Sequence, residues 1–387
     1  MNRNLSLIAL SLFIWGIGES MFYDFRPLYL QALGADPIAI GSILGVVGAA
    51  MALSHIPAGY LSDRIGQLPL IRTSWVLGLI SGLMMAMATE IHFFSLGAII
   101  YGFTYFVSSP LNSYITAARG KLSVGRTITL ISAFFSLGGI LGPWLGGMIA
   151  ERWGLRSVLF FACGLFVFST IVVFFIQPQQ INHTAETETL RGSIREVFSS
   201  QFILYLVVAF AVFFVMFLPQ PLSPNFLQNQ RGMKLSEIGQ FLSFAGMGVV
   251  FFNIVLGHLP LRWGYLTAQA VMLMFSFSLW QGEGYLWYGL GYFCMGSFRT
   301  ARSLAASQAK EFLPDHRLGI GYGVVESLDG LAMMLAPLLA GWLYSARPEW
   351  IYQWSLAGGS AVLVLTLITL TLLERKQAAA RVVLSSK

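Results

Sequence analysis

Charge is scarce in this sequence. Only 10% of its 387 residues are Asp, Glu, Lys or Arg, against about 25% in a soluble globular chain. So few charges cannot cover a water-facing surface of that size, which excludes an ordinary set of soluble domains. The 56% of hydrophobic residues excludes disorder as well. Cysteine is nearly missing: Cys163 and Cys294 stand far apart in apolar stretches, with neither a disulfide framework nor metal-ligand spacing. Basic runs with interleaved aromatics are lacking too, so the formal charge of +6 offers no patch to a nucleic acid. Walker A, HExxH and GxSxG patterns do not occur, and no nucleophile stands beside a base. These absences argue against an enzyme, leave no metal site to expect, and imply no cofactor.

Long apolar runs take the place of charge. A membrane span needs about 20 mostly apolar residues, and a window of that length finds twelve. They lie near 5–32, 38–61, 69–89, 93–117, 127–150 and 156–176, then near 200–228, 236–257, 264–281, 284–308, 318–345 and 350–373. Backbone groups in hydrocarbon must be satisfied within the segment, and runs this long exceed barrel strands, so the reading is an all-α membrane protein. The first run is too long for a cleavable signal and carries Glu19 and Asp24. A polar stretch at 177–198 separates two sets of six spans, so the expected organisation is a bundle over 1–176, a linker over 177–198 and a bundle over 199–387. Lys and Arg crowd one set of loops, as at Arg64, Arg119, Lys121, Arg126, Arg191 and Arg195. The positive-inside rule then places both termini in the cytoplasm.

The halves repeat. At an offset of 198 residues, Gly34, Gly41, Gly48, Gly59, Leu61, Arg64 and Gly66 recur as Gly232, Gly239, Gly246, Gly257, Leu259, Arg262 and Gly264. An even number of spans per half makes the repeats parallel, about an axis along the membrane normal. Two motifs stand out. Between spans 2 and 3 the chain reads Gly59-Tyr-Leu-Ser-Asp63-Arg64-Ile-Gly66, a tight turn that sets a carboxylate and a guanidinium between two helices. In span 5 it reads Gly138-Gly-Ile-Leu-Gly142-Pro143-Trp-Leu-Gly146-Gly147, with small residues at the spacing of close helix approach and a proline that permits a bend. Ala336-Pro337 and Gly341 in span 11 form a weaker counterpart, which suggests symmetric roles.

Both motifs resemble signatures of the major facilitator superfamily. The first is similar to its loop between helices 2 and 3, the second to the helix 5 motif of its proton-coupled exporters, and the resemblance covers essentially the whole chain. It implies two six-helix bundles, a central cavity lined by spans 1, 4, 7 and 10, and transport by alternating access in a cell inner (plasma) membrane. It also implies that Asp63 and Arg64 belong to a cytoplasmic latch and that span 5 lines the interface between halves. The expected partners are a small-molecule substrate, protons and the lipid bilayer, with the transporter acting as a monomer.

Substrate and coupling must be read from the charges inside the spans, where each is expensive and needs a partner or water. Seven are present: Glu19, Asp24, Arg26, Arg299, Arg302, Glu326 and Asp329. Glu19 lies too deep to reach water by snorkelling. A carboxyl in apolar surroundings favours its neutral form, which suits reversible protonation. Asp24 and Arg26, just before Pro27, are expected at the span's end, with Arg26 reaching for water and sharing Glu19's helix face. In spans 10 and 11, Arg299 and Arg302 are three apart, as are Glu326 and Asp329, so two matched ion pairs are expected between the helices. Proton coupling is therefore expected at Glu19, Asp24, Glu326 and Asp329. Polar stripes predict substrate contacts at Tyr101, Tyr105 and Asn112, at Gln220, at Tyr288 and Tyr292, and at Tyr322, together with Arg26, Arg299 and Arg302. Proton-coupled export of an amphipathic, drug-like molecule fits best. An anionic or zwitterionic metabolite or lipid held by Arg299 or Arg302 is the alternative, and a membrane-embedded enzyme a remote one.

Overall fold

The computed structural model of the chain describes residues 2–178, 199–310, 313 and 318–385; for 55–63, 318–322 and 374–385 it describes only the helical backbone. Among the described residues, every regular element is helical. The first half contains α1 (Arg3–Tyr23), α2 (Arg26–Ala32), α3 (Pro37–Ile65), α4 (Gln67–Met87), α5 (Ile91–Phe103), a 3₁₀ turn (Thr104–Val107), α6 (Ser108–Ala117), α7 (Val124–Trp153) and α8 (Leu155–Phe174). The second contains α9 (Ser200–Phe217), α10 (Ser223–Arg231), α11 (Leu235–Gly257), α12 (Leu261–Gln281), α13 (Tyr285–Met295), α14 (Ser297–Ala309), α15 (Leu318–Ala346) and α16 (Trp350–Ser385). Ten candidate spans among the described residues are long and apolar enough to cross a membrane. The two other expected spans are helical as well: α12, and α13 with α14, which Gly296 divides. Most of the 177–198 linker lies outside the described residues.

Four of the expected spans are broken, and they are the first, fourth, seventh and tenth. Each break has a local cause. Pro27 has no N–H to offer the Tyr23 carbonyl four residues back, so α1 stops at Tyr23 and a new helix begins at Arg26. Its repeat mate lies among Pro219, Pro221 and Pro224, where α9 gives way to α10. In the fourth span the hydroxyls of Thr104 and Ser108 bond the carbonyls of Tyr101 and Tyr105, each at 2.6 Å, and the helix tightens to a 3₁₀ turn.

Contacts divide the chain into two compact units. One combines the first half with Pro221–Gly246 and Pro337–Pro348; the other includes Met247–Ala336 and the chain from Glu349 onward. In the first unit α1 runs through the centre, and glycine lets its neighbours reach its backbone. A Cβ on Gly138 or Gly142 of α7 would stand 2.5 Å from the carbonyl oxygens of Phe13 and Ile17, and one on Gly146 would collide with Met21 O. Three of the span 5 glycines therefore seat α7 on α1. Gly147 looks the other way: a Cβ there would meet Leu235 O of α11 at 2.6 Å, while Gly239 lies against Pro143 O and Gly147. Gly41 of α3 packs in the same manner on Pro337 O and Gly341 of α15. Gly41 and Gly239 are repeat mates, so the span 5 motif and its span 11 counterpart do make equivalent contacts.

The repeat is visible in the contacts of this unit. Gln31 Nε2 donates to Asn229 Oδ1 at 3.1 Å and Asn225 Nδ2 to Pro27 O at 3.1 Å, and each pair is separated by the repeat offset of 198. Repeat mates therefore meet directly where α2 and α10 face each other. Glu151, at the end of α7, accepts the Leu235 N–H at 2.9 Å and caps the start of α11. The second unit is held by similar means. Gly248 abuts Phe293, Ser276 and Ser355 share a hydrogen bond of 2.9 Å, and the Tyr205 hydroxyl donates to Ala305 O at 2.6 Å.

The glycine contacts predict opposite outcomes for one substitution. At Gly147 or Gly239 a methyl group meets backbone that must move, so Gly147→Ala and Gly239→Ala should destabilise by ~1–3 kcal/mol. Gly164 of α8 has nothing within 4 Å, so Gly164→Ala should stabilise by roughly 0.5–1 kcal/mol through helix propensity. Thermal unfolding of the three purified variants in one detergent checks the signs.

Candidate functional site

Within the first unit, the chemistry gathers where α1 and the fourth span break. Glu19 is buried, only 7% exposed. The Tyr105 hydroxyl donates to its Oε1 at 2.5 Å, a short bond. The 3₁₀ turn positions that ring. Around the pair stands an aromatic wall: Trp15 stacks on Phe166 at 4.0 Å, Phe22 meets Tyr101 edge-on at 5.4 Å, and Tyr101 lies 6.5 Å from Tyr105. Trp75 donates to Ser169 Oγ at 2.8 Å, and Ser169 in turn donates to Ser11 O, a buried polar chain behind the wall.

Arg26 does not reach for water. It is 6% exposed, its guanidinium lies 3.6 Å above the Tyr23 ring, and its Nε donates to Tyr23 O at 2.8 Å. That carbonyl is the one Pro27 leaves without an N–H, so the arginine repairs the helix break it stands beside. The break also ends the shared face expected for Glu19 and Arg26. The Nη1 of Arg26 is buried without a hydrogen bond among the described residues. Asp24 sits at the end of α1 and is exposed.

In the second unit a single arginine takes both carboxylates. Arg302 Nη2 lies 2.7 Å from Asp329 Oδ2 and 3.1 Å from Glu326 Oε2. Asp329 is buried and Glu326 largely exposed, with side-chain exposures of 6% and 61%. The two matched pairs expected between these helices are replaced by this clamp. Arg299, one turn earlier on α14, is exposed and makes no ion pair within 4 Å among the described residues.

The remaining expected contacts separate. Tyr101 is buried and Tyr105 half-buried, and Asn112 is exposed on α6. Gln220 Nε2 donates to Met216 O at 2.9 Å. Tyr288 donates to Gly282 O at 3.0 Å and Tyr292 packs edge-on against Phe275, both inside the helical core. Gly66, with φ +84°, joins α3 to α4, and Arg64 beside it is exposed. The surroundings of Gly59, Asp63 and Tyr322 lie outside the described residues. Sequence reading missed the amide cluster of Gln31, Asn225 and Asn229, although the repeat offset pairs Gln31 with Asn229.

Comparison with known proteins is consistent with this architecture. The family model described as Major Facilitator Superfamily matches residues 8–300. Among curated proteins, the chain is 22% identical over 360 residues to the class H tetracycline resistance protein of Pasteurella multocida, covering 89% of this chain and 90% of that one. It is 23% identical over 400 residues to the class B tetracycline resistance protein of Escherichia coli, covering 98% of each. Among solved structures, a variant of the nucleoside transporter NupG superposes with a TM-score of 0.84 at 12% identity over 95% of this chain and 100% of that one. A bacterial homologue of the human lysosomal transporter Spinster follows at 0.76 and 14%, over 96% of each.

The arginine clamp predicts an uneven response. Arg302→Gln leaves a buried carboxylate without its cation and should cost ~3–5 kcal/mol. Glu326→Gln removes an exposed partner and should cost no more than about 1 kcal/mol. Adding Asp329→Asn to Arg302→Gln should recover most of the loss in a double-mutant cycle of thermal unfolding.

Proposed function

The chain belongs to the major facilitator superfamily and is a multi-pass membrane transporter, not an enzyme; from that premise we propose that it exports an amphipathic, drug-like molecule in exchange for protons. The observation that carries the proposal is the buried Glu19 with Tyr105 donating to it. The resistance proteins among its relatives support export as the direction. In this reading Glu19 is the proton carrier. Deprotonated, it holds the Tyr105 hydroxyl and can receive a cationic or polar group of the substrate. Protonated, it loses the charge that retains them, and the substrate leaves on the far side. Aromatic surfaces of Trp15, Phe22 and Tyr101 suit a flat or apolar cargo. The halves 1–176 and 199–387 act as the rocking bundles of alternating access, with the linker at 177–198. The breaks in the first, fourth, seventh and tenth spans supply their bending points. The transporter works as a monomer in a bacterial inner membrane with both termini cytoplasmic.

A second reading has one observation in its favour. Arg302 is engaged by two carboxylates, whereas Arg299 is exposed and remains available to an anionic or zwitterionic metabolite or lipid. Arg299→Gln should then abolish transport of such an anion and leave drug export untouched.

The test uses everted membrane vesicles or proteoliposomes with tetracycline and ethidium as probes. Glu19→Gln should lose accumulation driven by a pH gradient yet retain probe exchange without one, and Tyr105→Phe should shift the pH profile of transport. A Glu19→Gln protein that keeps wild-type pH-driven accumulation would remove Glu19 from the proton path.

A further inference from the structure

Two arginines tie α4 to its antiparallel neighbour α8, one at each end. Arg156 donates to the carbonyls of Ala86 and Met87, at 2.9 and 3.3 Å, closing the last turn of α4. Arg72 donates through Nη2 to Phe174 and Ile176, at 3.1 and 3.0 Å, closing the last turn of α8. Both meet the negative end of a helix, where a cation is favoured. The Arg72 end has something more: a groove of about 290 Å³ lined by Arg72, Thr73, Val76, Leu77, Ile80 and Phe174.

The groove joins two chemistries. Val76 and Ile80 are one turn apart on α4 and largely exposed, as is Phe174. From Arg72 to Ile80 the stripe runs about 12 Å along the helix. At its head lies the guanidinium, and Thr73 lines the groove as well. Both hydrogen bonds of Arg72 use Nη2, its Nε is buried without a partner, and no carboxylate pairs with it among the described residues. Among the described residues, none that lines the groove is acidic. The depth is that of a membrane interface. α8 ends two residues before Ile176, and a polar collar follows: Tyr114 donates to Gln177 O at 2.5 Å, and the Gln177 N–H donates to Asn4 Oδ1 at 3.4 Å.

We propose that this groove binds one anionic phospholipid, its phosphate on Arg72 and Thr73 and an acyl chain along Val76, Leu77, Ile80 and Phe174. A guanidinium at the edge of hydrocarbon that meets two carbonyls but no carboxylate among the described residues still favours an anion, and its planar fork suits phosphate oxygens. A zwitterionic lipid would bring an ammonium group for which the groove has no carboxylate. The bound lipid would brace the α4–α8 contact at the end where the chain leaves for the second half.

The test uses the delipidated full chain in detergent, with phosphatidylglycerol, phosphatidylcholine and inorganic phosphate as probes. Native mass spectrometry should find one phosphatidylglycerol retained by the wild type, and that lipid should raise the melting temperature more than phosphatidylcholine does. Arg72→Gln should lose the adduct and the extra shift. Ile80→Trp, which fills the groove and leaves the guanidinium in place, should lose them too, so the idea stays testable if Arg72→Gln folds poorly. Equal shifts with the two lipids, an adduct retained by Ile80→Trp, or inorganic phosphate matching phosphatidylglycerol would each overturn the assignment.

Discussion

Backbone approaches backbone across the glycines of α7, and much of the first unit depends on that closeness. Within hydrocarbon, burying apolar surface drives little helix association, because lipid tails are as apolar as leucine. What remains is packing at short range. Gly138, Gly142 and Gly146 let α7 lie against α1, and Gly147, one residue round the helix, lets the same α7 lie against α11. Gly41 and Gly341 make the equivalent contact between α3 and α15. Packing of this kind has no soft side chain to yield, so it holds or releases as a whole. That suits helices that must exchange one arrangement for another.

Polar groups in the apolar interior follow one rule: each freed backbone carbonyl finds a donor nearby. Pro27 frees Tyr23 O and Arg26 takes it; the ends of α4 and α8 free carbonyls that Arg156 and Arg72 take. Of the arginines expected to meet substrate, Arg26 is instead the repair of a helix end. Arg302 differs, since it answers side-chain charge and unites two carboxylates of unequal exposure. Its environment is the more costly one to disturb, because Asp329 is buried against it.

The functional reading rests on the same economy of charge. Helix breaks bring hydroxyls and a carboxyl to one place, as Tyr105 and Glu19 show, because a broken helix exposes backbone that polar side chains must accompany. The spans that break are those that the superfamily resemblance assigns to the cavity.

Much of this was legible in the residues. The scarcity of charge implied a membrane protein, the offset of 198 implied paired halves, and the glycine spacing in span 5 implied close approach. That Glu19 would be buried could be read from its depth in the first span. The breaks at Pro219, Pro221 and Pro224 were written in proline, yet hydropathy windows average over them. Other features lay beyond any one-dimensional reading. Which face each glycine presents, and that Gly147 turns from α1 to α11, depends on the angle at which helices cross. That Arg26 folds back over Tyr23, or that Arg302 and not Arg299 meets both acids, depends on side-chain reach across a gap of a few ångströms. Composition and period settled which segments cross the membrane, because the bilayer reads length and polarity. Only the tertiary structure decided which charges meet, because partners in a low-dielectric interior are chosen by distance.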